Sequence, residues 1–240
     1  MPEVSPIKSP EFLIETILPA HQVHLLAGPS GAGKTRWIIN LLKNTFERGE
    51  PIFGYKTHYV PWAYVAADRS IESVHRTFND IRIDPKSVNI IPAFGTDNKN
   101  LYEIQDAITQ SKAKLVVIEA FGHFAEDTKS AVIKKYLERW QVMAKQGDYT
   151  IIGVVESPKM KPNDRYKNPR WRVSGAAAWA HFADTIFLVE PDEKADGHKS
   201  ARLLHLCPRH AQEQSFTSSF GTDGKLVFTN PLLEALEALA

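Results

Sequence analysis

Eight residues near the start of the chain, Gly28-Pro29-Ser30-Gly31-Ala32-Gly33-Lys34-Thr35, constrain everything around them. They follow the pattern G-x-x-x-x-G-K-[ST], which reads as a phosphate-binding loop when a strand runs into it and a helix runs out. Both flanks are present. Val23-His24-Leu25-Leu26-Ala27 has the character of a buried strand, and Arg36-Trp37-Ile38-Ile39-Asn40-Leu41-Leu42 that of a helix. Three glycines allow a backbone curl that turns successive N–H groups and the helix N-terminus onto one anion, where a Cβ would intrude. Lys34 adds a point charge for the outer phosphates, and the Thr35 hydroxyl is placed for Mg²⁺. The residues assigned to nucleotide are therefore Gly28, Pro29, Ser30, Gly31, Ala32, Gly33, Lys34, Thr35 and Arg36.

The remainder of the sequence supplies the sheet such a loop requires. Trp62 to Ala67, Val88 to Pro92, Lys114 to Ile118, Tyr149 to Val155 and Thr185 to Glu190 read as strands. Between them, Ser70 to Ile81, Leu101 to Gln110, Lys129 to Lys145 and Ser174 to His181 read as helices, and Glu11 to Ile17 as a short docking helix. Strands alternating with helices imply an α/β fold, a mostly parallel central sheet with helices on both faces. Ser200 to Cys207, Ser215 to Phe220 and Lys225 to Thr229 are spaced as an antiparallel edge addition. At 240 residues the chain suits one large domain over residues 11–230, with a flexible lead-in over 1–10 and a terminal helix or partner-binding tail over 231–240. The single cysteine, Cys207, excludes an internal disulfide and fits a reducing compartment. No apolar run reaches transmembrane length, and the first ten residues lack a signal-peptide core. These features predict a soluble, cytoplasmic protein without a membrane partner.

In sheets of this kind ligands sit at the carboxyl ends of the strands. Gly28, Asp68, Glu119 and Glu156 each follow a strand, so four segments converge on one site. Hydrolysis of a γ-phosphate needs a metal-organising carboxylate, a group that orients water, and a positive charge for the transition state. Glu119, after Leu115-Val116-Val117-Ile118, is the candidate for Mg²⁺ together with Thr35; the alternative is a solvated strand-end acid. Asp68 is the candidate water-orienting base, or else an N-cap for the next helix, a role Ser70 can also fill. Glu156 is a candidate phosphate sensor acting through a water or a neighbour, because a bare carboxylate facing phosphate is repelled. Arg209, in Pro208-Arg209-His210, is either an arginine finger acting on a neighbouring subunit or a surface arginine.

The stretch from Ser157 to Val173 concentrates Lys159, Lys161, Arg165, Lys167, Arg170 and Arg172 around Tyr166 and Trp171, with Asp164 the one acid. Cations follow a phosphate backbone, and aromatic faces stack on unpaired bases. With 29 Lys and Arg against 28 Asp and Glu overall, such a surface has to be local. The segment is thus a candidate single-stranded nucleic-acid contact. The alternatives are a solvated loop and a contact with a neighbouring subunit.

Taken in order, these pieces resemble the RecA/DnaB-type ATPase core, closest to the plasmid RepA-like hexameric helicases of the AAA-type ATPase family. The resemblance rests on residues 24–35, 63–70, 115–119 and 173–184, and on 203–224 with Pro208-Arg209 at the finger position. It implies a RecA-like P-loop fold, ATP and Mg²⁺ as cofactors, and ATP bound at subunit interfaces of a ring, most often a hexamer, or of a filament. It also implies ATP hydrolysis coupled to translocation on single-stranded DNA, as in a small replicative helicase. A replication or recombination protein would then be a partner. Relatives usually carry Glu after the second strand and Asp after the strand that matches Leu115 to Ile118; Asp68 and Glu119 exchange these. A methylene moves a carboxylate by about 1.5 Å, so the exchange either preserves the span or slows hydrolysis while leaving binding intact. Two rival readings keep the fold. One is a phage-type recombinase or annealing protein with slow turnover; the other is an ATP-gated switch or loader for a protein partner.

Overall fold

The computed structural model describes residues 11–93, 101–125, 129–158, 168–173, 177–192, 201–220 and 226–229. The lead-in over 1–10, the tail over 231–240, and Lys159, Lys161, Arg165, Tyr166 and Lys167 lie outside the described residues.

The strands are β1 (Phe12–Ile14), β2 (Leu18–Pro19), β3 (Val23–Gly28), β4 (Trp62–Ala66), β5 (Asn89–Pro92), β6 (Leu115–Ile118), β7 (Thr150–Glu156), β8 (Thr185–Pro191), β9 (Arg202–Pro208), β10 (Gln214–Phe220) and β11 (Leu226–Thr229). The α-helices are α1 (Lys34–Leu41), α2 (Ile71–Asp80), α3 (Leu101–Ser111), α4 (Ser130–Gln146) and α5 (Ala177–Phe182). A π-helical stretch, Leu42–Phe46, extends α1. Nine strands form one sheet in the order β11-β10-β9-β8-β3-β7-β6-β4-β5. β3 through β8 are mutually parallel where they pair, and β9, β10 and β11 add antiparallel at the β8 edge. The expected fold class is thus the observed one.

β3, β4 and β6 are buried along their whole length. This is why they read as unbroken apolar runs rather than as alternating ones. The alternation is present but both faces are covered. Val23, Leu25 and Ala27 of β3 pack with Ile108 of α3, Trp140 of α4 and Trp179 of α5. Leu26 packs on the other face with Ile38 of α1 and Phe78 of α2. Each face buries its own apolar core, as the two-residue side-chain period of a strand requires.

Residues 11–17 correct the sequence reading. They form no helix: β1 and β2 pair as an antiparallel ribbon. The ribbon is held by backbone bonds from Glu15 N to Lys56 O and from His58 N to Leu13 O. Thr16 turns between the strands at φ 61°. The helix read at Ser174 to His181 is described from Ala177 to Phe182.

Strand order positions the site. β7 lies between β3 and β6, so the P-loop strand and the strand before Glu119 are not neighbours. The gap between them is open at the carboxyl ends. Gly28 is in register with Glu156, and Ile118 with Gly153 and Val65. Gly153 is required there because a Cβ would come within 2.2 Å of the Phe121 ring.

Candidate active site

The P-loop glycines answer to different demands. Gly31 and Gly33 take φ of 78° and 85°, a left-handed conformation that L side chains rarely adopt. Gly28 is needed for space: a Cβ would sit 2.4 Å from the Val189 carbonyl of β8. Gly33 is the N-cap of α1, whose first turn carries no side-chain cap and no acid. Its leading amides are therefore left for an anion. Lys34 Nζ meanwhile donates to the loop's own carbonyls, at 2.8 Å from Gly28 O and 3.0 Å from Pro29 O. Burial pushes the Lys34 pKa below its ordinary value, opposed by the nearby charges of Glu156 and Asp68. Arg36 stacks its guanidinium over Phe220 at 4.3 Å.

Glu119 is buried, and its two oxygens are treated unequally. Oε1 accepts from Tyr64 OH at 2.5 Å, from Arg69 Nη2 at 2.5 Å and from Thr35 Oγ1 at 3.4 Å. Oε2 is buried with no hydrogen-bond partner. Glu119 thus reaches the P-loop threonine through Oε1 and keeps a second, unsatisfied buried oxygen, an arrangement a hard cation would complete. The residues therefore fit Mg²⁺, with Thr35 and Glu119 as its holders. Burial and then the Glu119 charge keep the Tyr64 phenol well above its usual pKa, so Tyr64 stays a donor. Burial works against the Arg69 charge, yet the Glu119 carboxylate outweighs it and raises the guanidinium pKa.

These groups line one cleft of about 830 Å³, with Ser30, Gly31, Gly33, Lys34, Thr35, Arg36, Asp68, Arg69, Glu119 and Glu156 on its wall and Ile133, Val154 and Trp179 among its apolar lining. Its size is that of a pocket for a nucleotide-sized ligand. Asp68 and Glu156 are both exposed in it. Asp68 is not the N-cap of α2; Ser70 takes that role, its hydroxyl accepting from Ser73 N at 3.4 Å.

The sequence reading missed three residues. Tyr64 looked like one more core residue of a strand. Arg69 stood unnoticed between Asp68 and Ser70. Arg202 begins the antiparallel strand β9 and donates from Nε to Ala32 O at 2.8 Å, clamping the P-loop.

The other described sequence candidates, Arg170, Trp171, Arg172 and Arg209, do not line this cleft. Arg209 follows β9, whose Pro208 pairs with Thr185 at the amino end of β8, so it sits at the opposite end of the sheet from the P-loop. It donates to the carbonyls of His181 and Ala183. With Arg170, Trp171 and His181 it lines a separate pocket of about 370 Å³. Arg170 spends its guanidinium on the carbonyls of Ala180, Cys207 and Ala183. Arg172 pairs with buried Glu190 at 2.7 Å. Trp171 is half exposed, its ring edge-on to His181 at 4.8 Å.

A mostly parallel sheet with an uncapped P-loop helix and a strand-end acid facing the loop threonine defines the P-loop nucleotide-binding class. Residues 3–161, more than half of the chain, match the AAA domain family, and the chain belongs to that family. No curated protein matches it. It is a P-loop ATPase domain, and among its described residues no helix is long and apolar enough to cross a membrane.

Proposed function

We propose that the protein is a Mg²⁺-dependent ATPase of the RecA/DnaB type that assembles as a ring on single-stranded DNA and unwinds duplexes ahead of it. The carrying observation is the convergence of Gly28–Thr35, Asp68, Glu119 and Glu156 in one cleft, with β7 leading directly out of that cleft into the basic segment. Ser157 N is tied to Gly28 O at 3.0 Å, so the root of the segment is fastened to the root of the P-loop. Nucleotide state at one is thereby coupled to the position of the other.

In this reading Lys34 exchanges its two loop carbonyls for phosphate oxygens. Thr35 and Glu119 would hold Mg²⁺, which would supply neutralisation of the phosphate charge when bound. Asp68 orients the attacking water and accepts its proton. Glu156 reports the terminal phosphate to the segment it roots, and Arg209 serves a neighbour's site.

The test is ATP hydrolysis with and without single-stranded DNA, alongside mass measurements without nucleotide, with ADP and with a slowly hydrolysed ATP analogue. DNA-stimulated turnover by a ring, with strand displacement, is the expected result. Strand pairing without unwinding would transfer the reading to a recombinase. A monomer indifferent to DNA would overturn both.

One observation favours a second reading, an ATP-gated switch for a protein partner. Arg170 and Arg172 are consumed by contacts within the fold, which thins the cationic surface available to DNA. ATP-dependent capture of a protein, without oligonucleotide affinity, would support it.

A further inference from the structure

The cleft holds a contradiction that Mg²⁺ binding alone does not resolve. The oxygen of Glu119 nearest the Thr35 hydroxyl is also the one held by Arg69, at 2.5 Å. Three donors crowd Oε1 while Oε2 has none. A guanidinium and a divalent cation on one carboxylate repel each other, and at this depth the repulsion is weakly screened. Arg69 is also attached elsewhere. Its Nη1 donates to Thr77 Oγ1 at 3.1 Å, and that hydroxyl bonds back to Ser73 O within α2. In sequence it stands between Asp68, on the cleft wall, and Ser70, the cap of α2. The Arg69 side chain thus joins the metal-side acid to the body of α2, and its backbone joins the candidate base to the cap of that helix.

We propose that Arg69 is a positioning and specificity residue for the terminal phosphate, held in reserve by Glu119. Without metal, its charge neutralises the buried carboxylate. When the cleft is loaded, Glu119 turns to the metal and Arg69 is released to the γ-phosphate, the anion that ATP has and ADP lacks. The same release slackens the bond to Thr77, so α2 registers whether ATP or ADP is present. The proposal rests on the reading of the cleft as an ATP site.

Two binding measurements on wild type, Arg69→Ala and Arg69→Lys test it. Mn²⁺ affinity without nucleotide, read by electron paramagnetic resonance, should rise about tenfold or more in Arg69→Ala, because the competing charge is gone. Arg69→Lys, which keeps the charge, should stay near wild type. The affinity ratio of ATP to ADP with Mg²⁺ present should fall about tenfold in Arg69→Ala and recover in part in Arg69→Lys. Tighter metal together with poorer discrimination is a pair of opposite effects that a merely structural arginine would not produce. Unchanged or weaker Mn²⁺ binding in Arg69→Ala would overturn the proposal. So would an unchanged ATP preference in a variant that still binds both nucleotides, which would leave the ATP reading standing. Wild-type protein that binds no ATP would overturn that reading and this proposal together. Thermal melting of Arg69→Ala checks that it is folded, and Arg69→Lys carries both arms if it is not.

Discussion

Gly28 and Gly31 stand three residues apart in the same loop, yet the chain needs each for a different reason, and the two should fail differently. Gly28→Ala drives a methyl toward the Val189 carbonyl, 2.4 Å away, in the middle of the sheet. Backbone cannot yield there as a side-chain tip would, so the variant should lose about 1–3 kcal/mol in urea unfolding. Gly31→Ala meets nothing within 4 Å and suffers only its φ of 78°. It should lose about 1–2 kcal/mol, while phosphate binding, which uses that curl directly, falls further than stability does. Equal losses of stability and binding in both variants would contradict this division. The loop was legible because its spacing is a direct imprint of backbone geometry on sequence. Tyr64 and Arg69 were not. A tyrosine in W-A-Y-V-A looks like packing, and only the pairing of β4 with β6 brings its hydroxyl to Glu119. The Asp68 and Glu119 exchange was legible as chemistry, and the structure adds that the longer acid is fixed by three donors whereas the shorter stands exposed in the cleft.

Elements with long periodic or unbroken apolar patterns were readable, and short ones were not. α4 shows its buried face in Ile133, Tyr136, Leu137, Trp140 and Met143 at helical spacing. E-F-L-I-E-T-I is too short to separate helical from extended spacing, and tertiary pairing decided it: Ile14 bridges to Thr57, and Leu13, Ile14, Ile17 and Leu18 are all buried. The ribbon that results is pinned to β3 by His24, whose Nε2 lies 2.9 Å from Pro19 O. Burial lowers the His24 pKa from 6.5 to about 4, against smaller upward effects of that hydrogen bond and of Asp184. A depressed pKa means that the unfolded chain takes up the proton first. Stability is therefore undiminished above pH 6.5 and falls as pH drops from there toward 4. By pH 5 the loss from this one residue is about 2 kcal/mol. Urea unfolding at pH 7.5 and pH 5 should show it in wild type and lack that share in His24→Gln, which retains a donor but does not titrate. On the other side of the sheet, the short turn Pro169–Arg172 is held by Arg172 on Glu190, which also lies 3.2 Å from His205 Nε2. Arg172→Ala strands a buried carboxylate and should cost about 3 kcal/mol or more. If Arg172 instead faced DNA, the variant would keep its stability and lose oligonucleotide affinity.

At the scale of the molecule, the distance between Arg209 and the P-loop becomes an argument about assembly. The two lie at opposite ends of the sheet, separated by most of β8, roughly 15 Å of strand. Arg209 therefore has no route to the phosphates of its own cleft. Its guanidinium rests on the carbonyls of His181 and Ala183 beside half-exposed Trp171, on a surface pocket. A finger role is open to it only through a second copy of the chain. That restriction yields a complementation experiment. Lys34→Ala removes the phosphate lysine from a subunit's own cleft, and Arg209→Ala removes the charge it would lend to a neighbour. Each variant alone should be inactive in ATP hydrolysis at saturating single-stranded DNA. In a mixture, wherever an Arg209→Ala subunit receives its finger from a Lys34→Ala neighbour, both groups are intact in one composite site. A head-to-tail ring at equal mixing forms such a junction in about a quarter of its interfaces. Activity should therefore return toward a quarter of wild type if sites act independently. An Arg209→Ala protein as active as wild type would remove the finger role. Two inactive variants that stay inactive when mixed, though mass measurement shows mixed rings, would mean that Arg209 serves only to hold the end of α5.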